Sequence, residues 1–136
     1  MKTFLIGIAG GSGSGKTFLA NKILDTFKGE VLIIQQDSYY KDLSELEFNK
    51  RNLENFDHPN SIDIDLLKTH IMKLLNGKSI DMPTYSFSEH TRKDQIKTLL
   101  PKPIIIIEGI LILSFMELLK LFSLTIFINT ESDIRF

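Results

Sequence analysis

The stretch Phe4-Leu5-Ile6-Gly7-Ile8-Ala9-Gly10-Gly11-Ser12-Gly13-Ser14-Gly15-Lys16-Thr17 decides how the chain is read. Its first six residues are an apolar run suited to a buried strand. The run stops at a glycine-rich loop. After the loop, Phe18, Leu19, Ala20, Ile23 and Leu24 place apolar side chains at helical spacing. Strand, loop and helix therefore follow directly on one another, and the loop fits G-x-x-x-x-G-K-[ST], the P-loop pattern. Phosphate binding needs these residue types. Gly10, Gly11, Ser12, Gly13, Ser14 and Gly15 let the backbone curl so that several N–H groups point at one anion. The helix adds its own unpaired N–H groups and the positive end of its dipole. Lys16 can reach β/γ-phosphates, and the Thr17 hydroxyl can ligate Mg²⁺. A flexible Gly/Ser linker would match the same pattern by chance. A linker has no reason to lie between a buried strand and an amphipathic helix.

Working outward, the 136 residues suffice for one domain with one core. An apolar content of 43% with 24% charged residues reads as an ordinary globular protein rather than a disordered one. The net charge of −1, with no basic block, argues against a nucleic-acid partner. There is no cysteine, which excludes disulfides, cysteine metal sites and thiol catalysis. With no disulfide and no export signal, the cytoplasm is the expected compartment. Residues 4–9 are too short for the apolar core of a secretory signal. The most apolar segment, residues 104–113, is about half the length of a membrane span and is interrupted by Glu108, so no membrane partner is expected.

Val31-Leu32-Ile33-Ile34-Gln35-Gln36 is a second buried strand, ending in the polar turn Asp37-Ser38-Tyr39-Tyr40-Lys41-Asp42. Strand, helix and strand make a βαβ unit, which implies a parallel sheet. Residues 43–55 are polar and mixed, with room for one loose helix, and residues 56–60 read as a loop. Ser61 or Asp63 then caps a helix carrying Ile64, Leu67, Ile71, Leu74 and Leu75 on one face, and Asn76-Gly77 ends it. Alternation over residues 80–87, a turn at Ser88-Glu89 and an extended stretch over residues 91–99 predict an inserted antiparallel hairpin. Ile104-Ile105-Ile106-Ile107 reads as a central parallel strand covered on both faces. A short helix over residues 115–122, a fourth parallel strand over residues 124–129 and a helix start after Thr130 complete the chain. The fold class is α/β: a three-layer α/β/α domain over residues 1–136, with the hairpin at about residues 80–99 as an insertion. Its mainly parallel sheet has the expected order 2-3-1-4, counting parallel strands along the chain.

Parallel sheets bind ligands at the carboxyl ends of their strands. Glu108 falls there and takes the place of the acid that holds Mg²⁺; the bland alternative is a solvated strand-end glutamate. Asp37 also falls there, either as a general base for phosphoryl transfer to an alcohol or as an Asx-turn residue. Tyr39, Tyr40, Phe56, Tyr85 and Phe87 are interleaved with Asp57, His58, His90 and Arg92. Flat apolar faces beside hydrogen-bonding groups suit a heterocyclic base and a sugar diol. The same residues also read as ordinary core, turn and solvated hairpin tip.

Taken together, Gly7 to Thr17, Gln36-Asp37-Ser38-Tyr39-Tyr40, Asn55-Phe56-Asp57-His58-Pro59, the stretch of residues 83–93, Glu108-Gly109-Ile110-Leu111 and Ser132-Asp133-Ile134-Arg135 resemble the uridine kinase family. The pieces occur in family order over nearly the whole chain. The P-loop is shared by many NTPases; the second and third pieces are more specific. The resemblance implies ATP- or GTP-dependent phosphorylation of the 5′-hydroxyl of uridine or cytidine, with Mg²⁺. It implies Asp37 as the base, Asp57 on the ribose hydroxyls, and Tyr85, Phe87 and His90 on the nucleobase; the aromatic and polar cluster adds Tyr39, Phe56 and Arg92 as further candidate substrate contacts. Thr17 and Glu108 would serve Mg²⁺, and Arg135 matches the first arginine of the family's lid. Full-length relatives are expected to be homo-oligomers. Ser86 stands where the family often has Asp. The family continues past the Asp-Ile-Arg stretch with a lid, another strand and helices. The chain is therefore expected to be a fragment or a shortened frame, lacking the next edge strand and transferring phosphate poorly alone. The alternatives are a phosphoribulokinase- or pantothenate-kinase-type enzyme and a non-catalytic nucleotide-binding remnant.

Overall fold

The computed structural model describes residues 2–11, 15–40, 62–86 and 91–128. The loose helix expected within residues 43–55, the loop at 56–60 and the helix start after Thr130 lie outside them. In chain order the elements are β1 (Phe4–Gly10), α1 (Lys16–Thr26), β2 (Val31–Gln35), α2 (Ile64–Leu75), β3 (Ile80–Ser86), β4 (Thr91–Leu99), β5 (Ile104–Gly109), α3 (Met116–Leu119) and β6 (Leu124–Ile128). Short 3₁₀ turns lie at Gln36–Tyr39 and Ile112–Ser114. The chain forms two compact units: residues 1–36 with 102–136, and residues 37–101.

The first unit is built on a parallel sheet in the order β2-β5-β1-β6. This is the expected 2-3-1-4. The isoleucines of β5 pair with Phe4 to Gly7 on one side and Val31 to Ile34 on the other. Ile105, Ile106 and Ile107 are fully buried, which is why β-branched residues fill consecutive positions instead of alternating ones. Ile6, Ile8, Val31 and Ile106 cluster with Ala20 of α1, and Leu19, Ile23 and Leu24 pack against them. The helix thus lies on one face of the sheet, with Ala20 the small residue at the closest approach.

The helix expected over residues 115–122 is a single turn, Met116–Leu119. Ser123 explains the shortening. Its N–H donates to Leu5 O at 2.7 Å, and its Oγ accepts from Leu5 N–H at 3.1 Å. This double tie to β1 draws the chain out of the helix and into β6. Among the described strands, β6 pairs only with β1, and Phe127 on it is 64% exposed.

In the second unit, α2 buries Leu67, His70, Ile71 and Leu74, the i, i+3, i+4, i+7 stripe of an amphipathic helix. Asp63 is its N-cap and accepts from Leu66 N–H at 3.2 Å. The C-terminus closes as a Schellman motif, with Lys78 N–H on Lys73 O and Gly77 N–H on Leu74 O. Asp63→Ala is expected to lower stability by about 1 kcal/mol through loss of the cap. A denaturant melt compared with the unaltered chain measures this, and an unchanged midpoint would show that the cap is idle.

β3 and β4 form the expected antiparallel hairpin, as a separate two-stranded sheet. Its register shifts between Pro83 and Tyr85. Proline has no N–H to give to the ladder, and a bulge is where a strand tolerates it. Asp81 Oδ1 accepts from Thr98 Oγ1 across the strands at 2.8 Å.

Candidate functional site

β1 delivers Gly10 and Gly11 to the loop, and the loop ends at Gly15, whose φ of +99° is left-handed and favours glycine. Gly15 is the N-cap of α1 and brings no side-chain cap; the first turn of α1 carries no acid either. The contrast with α2, capped by Asp63, matters. The first N–H groups of a helix have no intrahelical partner, and in α1 no cap side chain takes them up. Lys16, half-buried, and Thr17 stand in this first turn. Ser12, Gly13 and Ser14 lie outside the described residues.

Glu108 is separated from Thr17 by 91 positions, and the sheet brings the two together. In β5 it pairs with Ile8 of β1 and Gln35 of β2. The Thr17 hydroxyl donates to Glu108 Oε1 at 3.3 Å. The glutamate is only 5% exposed, and among the described residues its Oε2 is buried with no hydrogen-bond partner. A buried carboxylate oxygen without a donor is unfavourable, and a cation removes the penalty. Among the described residues no three His, Cys, Asp or Glu groups converge as a cage. One carboxylate and one hydroxyl suit Mg²⁺, which keeps waters and takes substrate phosphates as its remaining ligands.

Asp37 is exposed in the 3₁₀ turn that follows β2. Tyr39, expected among the pocket aromatics, is instead fully buried in the second unit. Its hydroxyl is 2.7 Å from His70 Nδ1, and the rings meet edge to face at 5.5 Å between centroids. A phenol hydroxyl needs a partner when buried, and His70 is one. Tyr40 is buried as well and forms an isolated bridge with Ile62. Tyr85 and Arg92 are register partners across the hairpin. Phe56, Asp57, His58, Phe87, His90 and Arg135 lie outside the described residues.

Sequence reasoning assigned no role to Gln36. The side chain is fully buried, and its Oε1 accepts from Leu111 N–H at 2.8 Å. Two sequence signals touch it: a glutamine at the end of an apolar strand, the same signal that drew attention to Glu108, and its place at the head of the stretch Gln36-Asp37-Ser38-Tyr39-Tyr40.

Among the described residues, no helix is long and apolar enough to cross a membrane. The fold recurs in a solved structure described as a possible uridine kinase from Bacillus stearothermophilus, with a TM-score of 0.72 at 20% identity over 100% of this chain and 76% of that one. A uridine kinase of Clostridium novyi is 48% identical over 136 residues, and one of Bacillus thuringiensis is 47% identical over 135. The chain spans 65% of the first relative's length and 64% of the second's. Residues 5–136 match the model of the phosphoribulokinase / uridine kinase family. Matched over nearly its whole length by that model, the chain belongs to the phosphoribulokinase / uridine kinase family.

Proposed function

We propose that the chain carries the phosphate-binding part of a kinase that transfers the γ-phosphoryl group of ATP or GTP to the 5′-hydroxyl of uridine or cytidine. The observation that supports this most is the Thr17–Glu108 pair at the start of a P-loop helix, with an Oε2 that is buried and without a partner among the described residues. The names of the relatives supply the acceptor class.

In this reading the N–H groups of the loop and of the first turn of α1 bind the phosphates, and Lys16 adds a positive charge on their β/γ-oxygens. Thr17 and Glu108 would hold Mg²⁺, which when bound neutralises charge on the transferring group. Asp37 accepts the proton of the 5′-hydroxyl as it attacks. Asp57 orients the ribose by accepting from its hydroxyls. Tyr85, Phe87 and His90 recognise the nucleobase, with Phe56 and Arg92 beside them. Arg135 adds charge against the phosphates. Tyr39 belongs to the core through His70 and takes no substrate role. The protein acts in the cytoplasm, as a homo-oligomer.

Acceptor choice tests this. Uridine and cytidine are expected to be phosphorylated ahead of adenosine, ribulose 5-phosphate and pantothenate by at least about 10²-fold in kcat/KM, since a site that hydrogen-bonds a base edge rejects ligands that leave its polar groups unpaired. Transfer from radiolabelled ATP across that panel gives the ranking. Preference for a sugar phosphate or pantothenate would move the chain to another branch of the family. Nucleotide binding without turnover on any acceptor would favour a non-catalytic remnant.

A further inference from the structure

We propose that Gln36 is a positioning residue for Glu108, acting through the turn that leaves β5 and through a contact that only a glycine at 109 permits. The inference rests on reading Thr17 and Glu108 as the Mg²⁺·nucleotide site.

Glu108 is held in the β5 ladder, with Gln35 of β2 opposite it. One residue later β5 ends at Gly109 and the ladder stops constraining the chain. Gln36, one residue beyond β2, takes over that constraint. Its Oε1 accepts from Leu111 N–H at 2.8 Å, so the third residue after Glu108 is tied back to the end of β2. The side chain reaches Leu111 by lying across Gly109. A Cβ at position 109 would overlap Gln36 Cβ and Oε1 and sit 2.7 Å from Gln36 Cδ. Glycine is thus required there by close approach, not by its dihedral angles.

The other end of the amide argues that this tie has a purpose. Among the described residues Gln36 Nε2 is buried with no hydrogen-bond partner. A glutamine selected only to fill the core would be replaced with advantage by an apolar side chain of similar length, since an unmade buried hydrogen bond is expensive. Only the acceptor end is used, and it is used on the backbone that follows Glu108. Two buried side-chain atoms without a partner among the described residues, Gln36 Nε2 and Glu108 Oε2, therefore lie at neighbouring strand ends of one sheet. The Gln36–Leu111 tie fixes the exit of the turn, and with it the direction in which the Glu108 carboxylate is presented.

The test compares nucleotide affinity with and without metal, which separates this role from general stability. A fluorescent ATP analogue is titrated in Mg²⁺ and in EDTA. Gln36→Met keeps the length of the side chain and removes the acceptor. It is expected to lower the Mg²⁺-to-EDTA affinity ratio about tenfold while leaving the EDTA affinity within about twofold. Amide exchange on the unaltered chain needs no variant. Leu111 N–H should be protected, and Mg²⁺ with nucleotide should slow it further while nucleotide in EDTA should not. If the unaltered chain shows no metal effect on affinity, the site reading and this inference both fall. If it shows one, and Gln36→Met retains it, the tie alone is overturned. Should Gln36→Met not fold, Leu111 exchange decides: indifference to Mg²⁺ overturns the tie.

Discussion

In a chain extended by the C-terminal part of a related uridine kinase, Lys16→Ala is expected to cut phosphoryl transfer by about 10³-fold and to weaken nucleoside triphosphate binding measurably. Catalysis in this chemistry is largely positioning and electrostatic stabilisation, because the protein does little covalent work on the phosphoryl group. Removing a single preorganised donor from such a site typically costs about 10²–10³-fold, and a full charge is worth more than a neutral donor. Lys16 is half-buried in the first turn of α1, where Gly15 brings no competing side chain and the first turn carries no acid. Its charge therefore has no carboxylate in its own turn to spend itself on. Lys22, exposed on the same helix, serves as the control, and Lys22→Ala should leave rate and affinity within about twofold. Steady-state kinetics and titration of a fluorescent ATP analogue on both variants give the answer. A Lys16→Ala chain as fast and as tight as the unaltered one would remove the phosphate loop from the mechanism.

The parts of the fold that could be read from the sequence are those carried by a local pattern. Four consecutive isoleucines announced an interior strand, and β5 lies between β2 and β1. Alternation over residues 80–87, then a turn and a second extended stretch, announced the hairpin at residues 80–99. The loop pattern led to Gly15 and Lys16, and a carboxylate at the end of an apolar run led to Glu108, which the sheet sets against Thr17. What escaped was carried by pairs far apart in the chain. Tyr39 sits in a polar turn and so read as a pocket aromatic, yet its hydroxyl is at His70, 31 positions away. The phase of α2 places His70 on the buried stripe between Leu67 and Ile71, but its side chain reads as polar, so the stripe hid it. Gln36 needed knowledge of both Gly109 and Leu111 before its burial made sense. The length of α3 depended on Ser123 meeting Leu5, 118 positions away, which no local propensity encodes.

In a chain extended by the C-terminal part of a related uridine kinase, Asp37 and Asp57 are expected to separate kinetically. Asp37→Asn should lower kcat by about 10²–10⁴-fold, the usual loss for a general base, while nucleoside KM stays within about threefold. Asp37 is exposed in the turn directly after β2, at the carboxyl edge where parallel sheets bind their ligands. Asparagine keeps the size and the turn-forming geometry of aspartate, so an Asx-turn role would survive the change and only proton acceptance would be lost. Asp57→Asn should instead raise nucleoside KM by about tenfold and leave kcat less affected, because a charge-assisted hydrogen bond to the ribose hydroxyls becomes a neutral one. The two losses differ in kind: an interaction made only in the transition state lowers kcat, whereas one made equally in ground and transition states raises KM. A uridine analogue lacking its 2′-hydroxyl makes the assignment sharper. It should lose much of its affinity for the unaltered chain and little more for Asp57→Asn, since the partner is already weakened, while Asp37→Asn should discriminate between the two nucleosides as the unaltered chain does. If Asp37→Asn keeps kcat, the proton is taken by another group and Asp37 is a turn residue. If Asp57→Asn binds both nucleosides as the unaltered chain does, the ribose is held elsewhere.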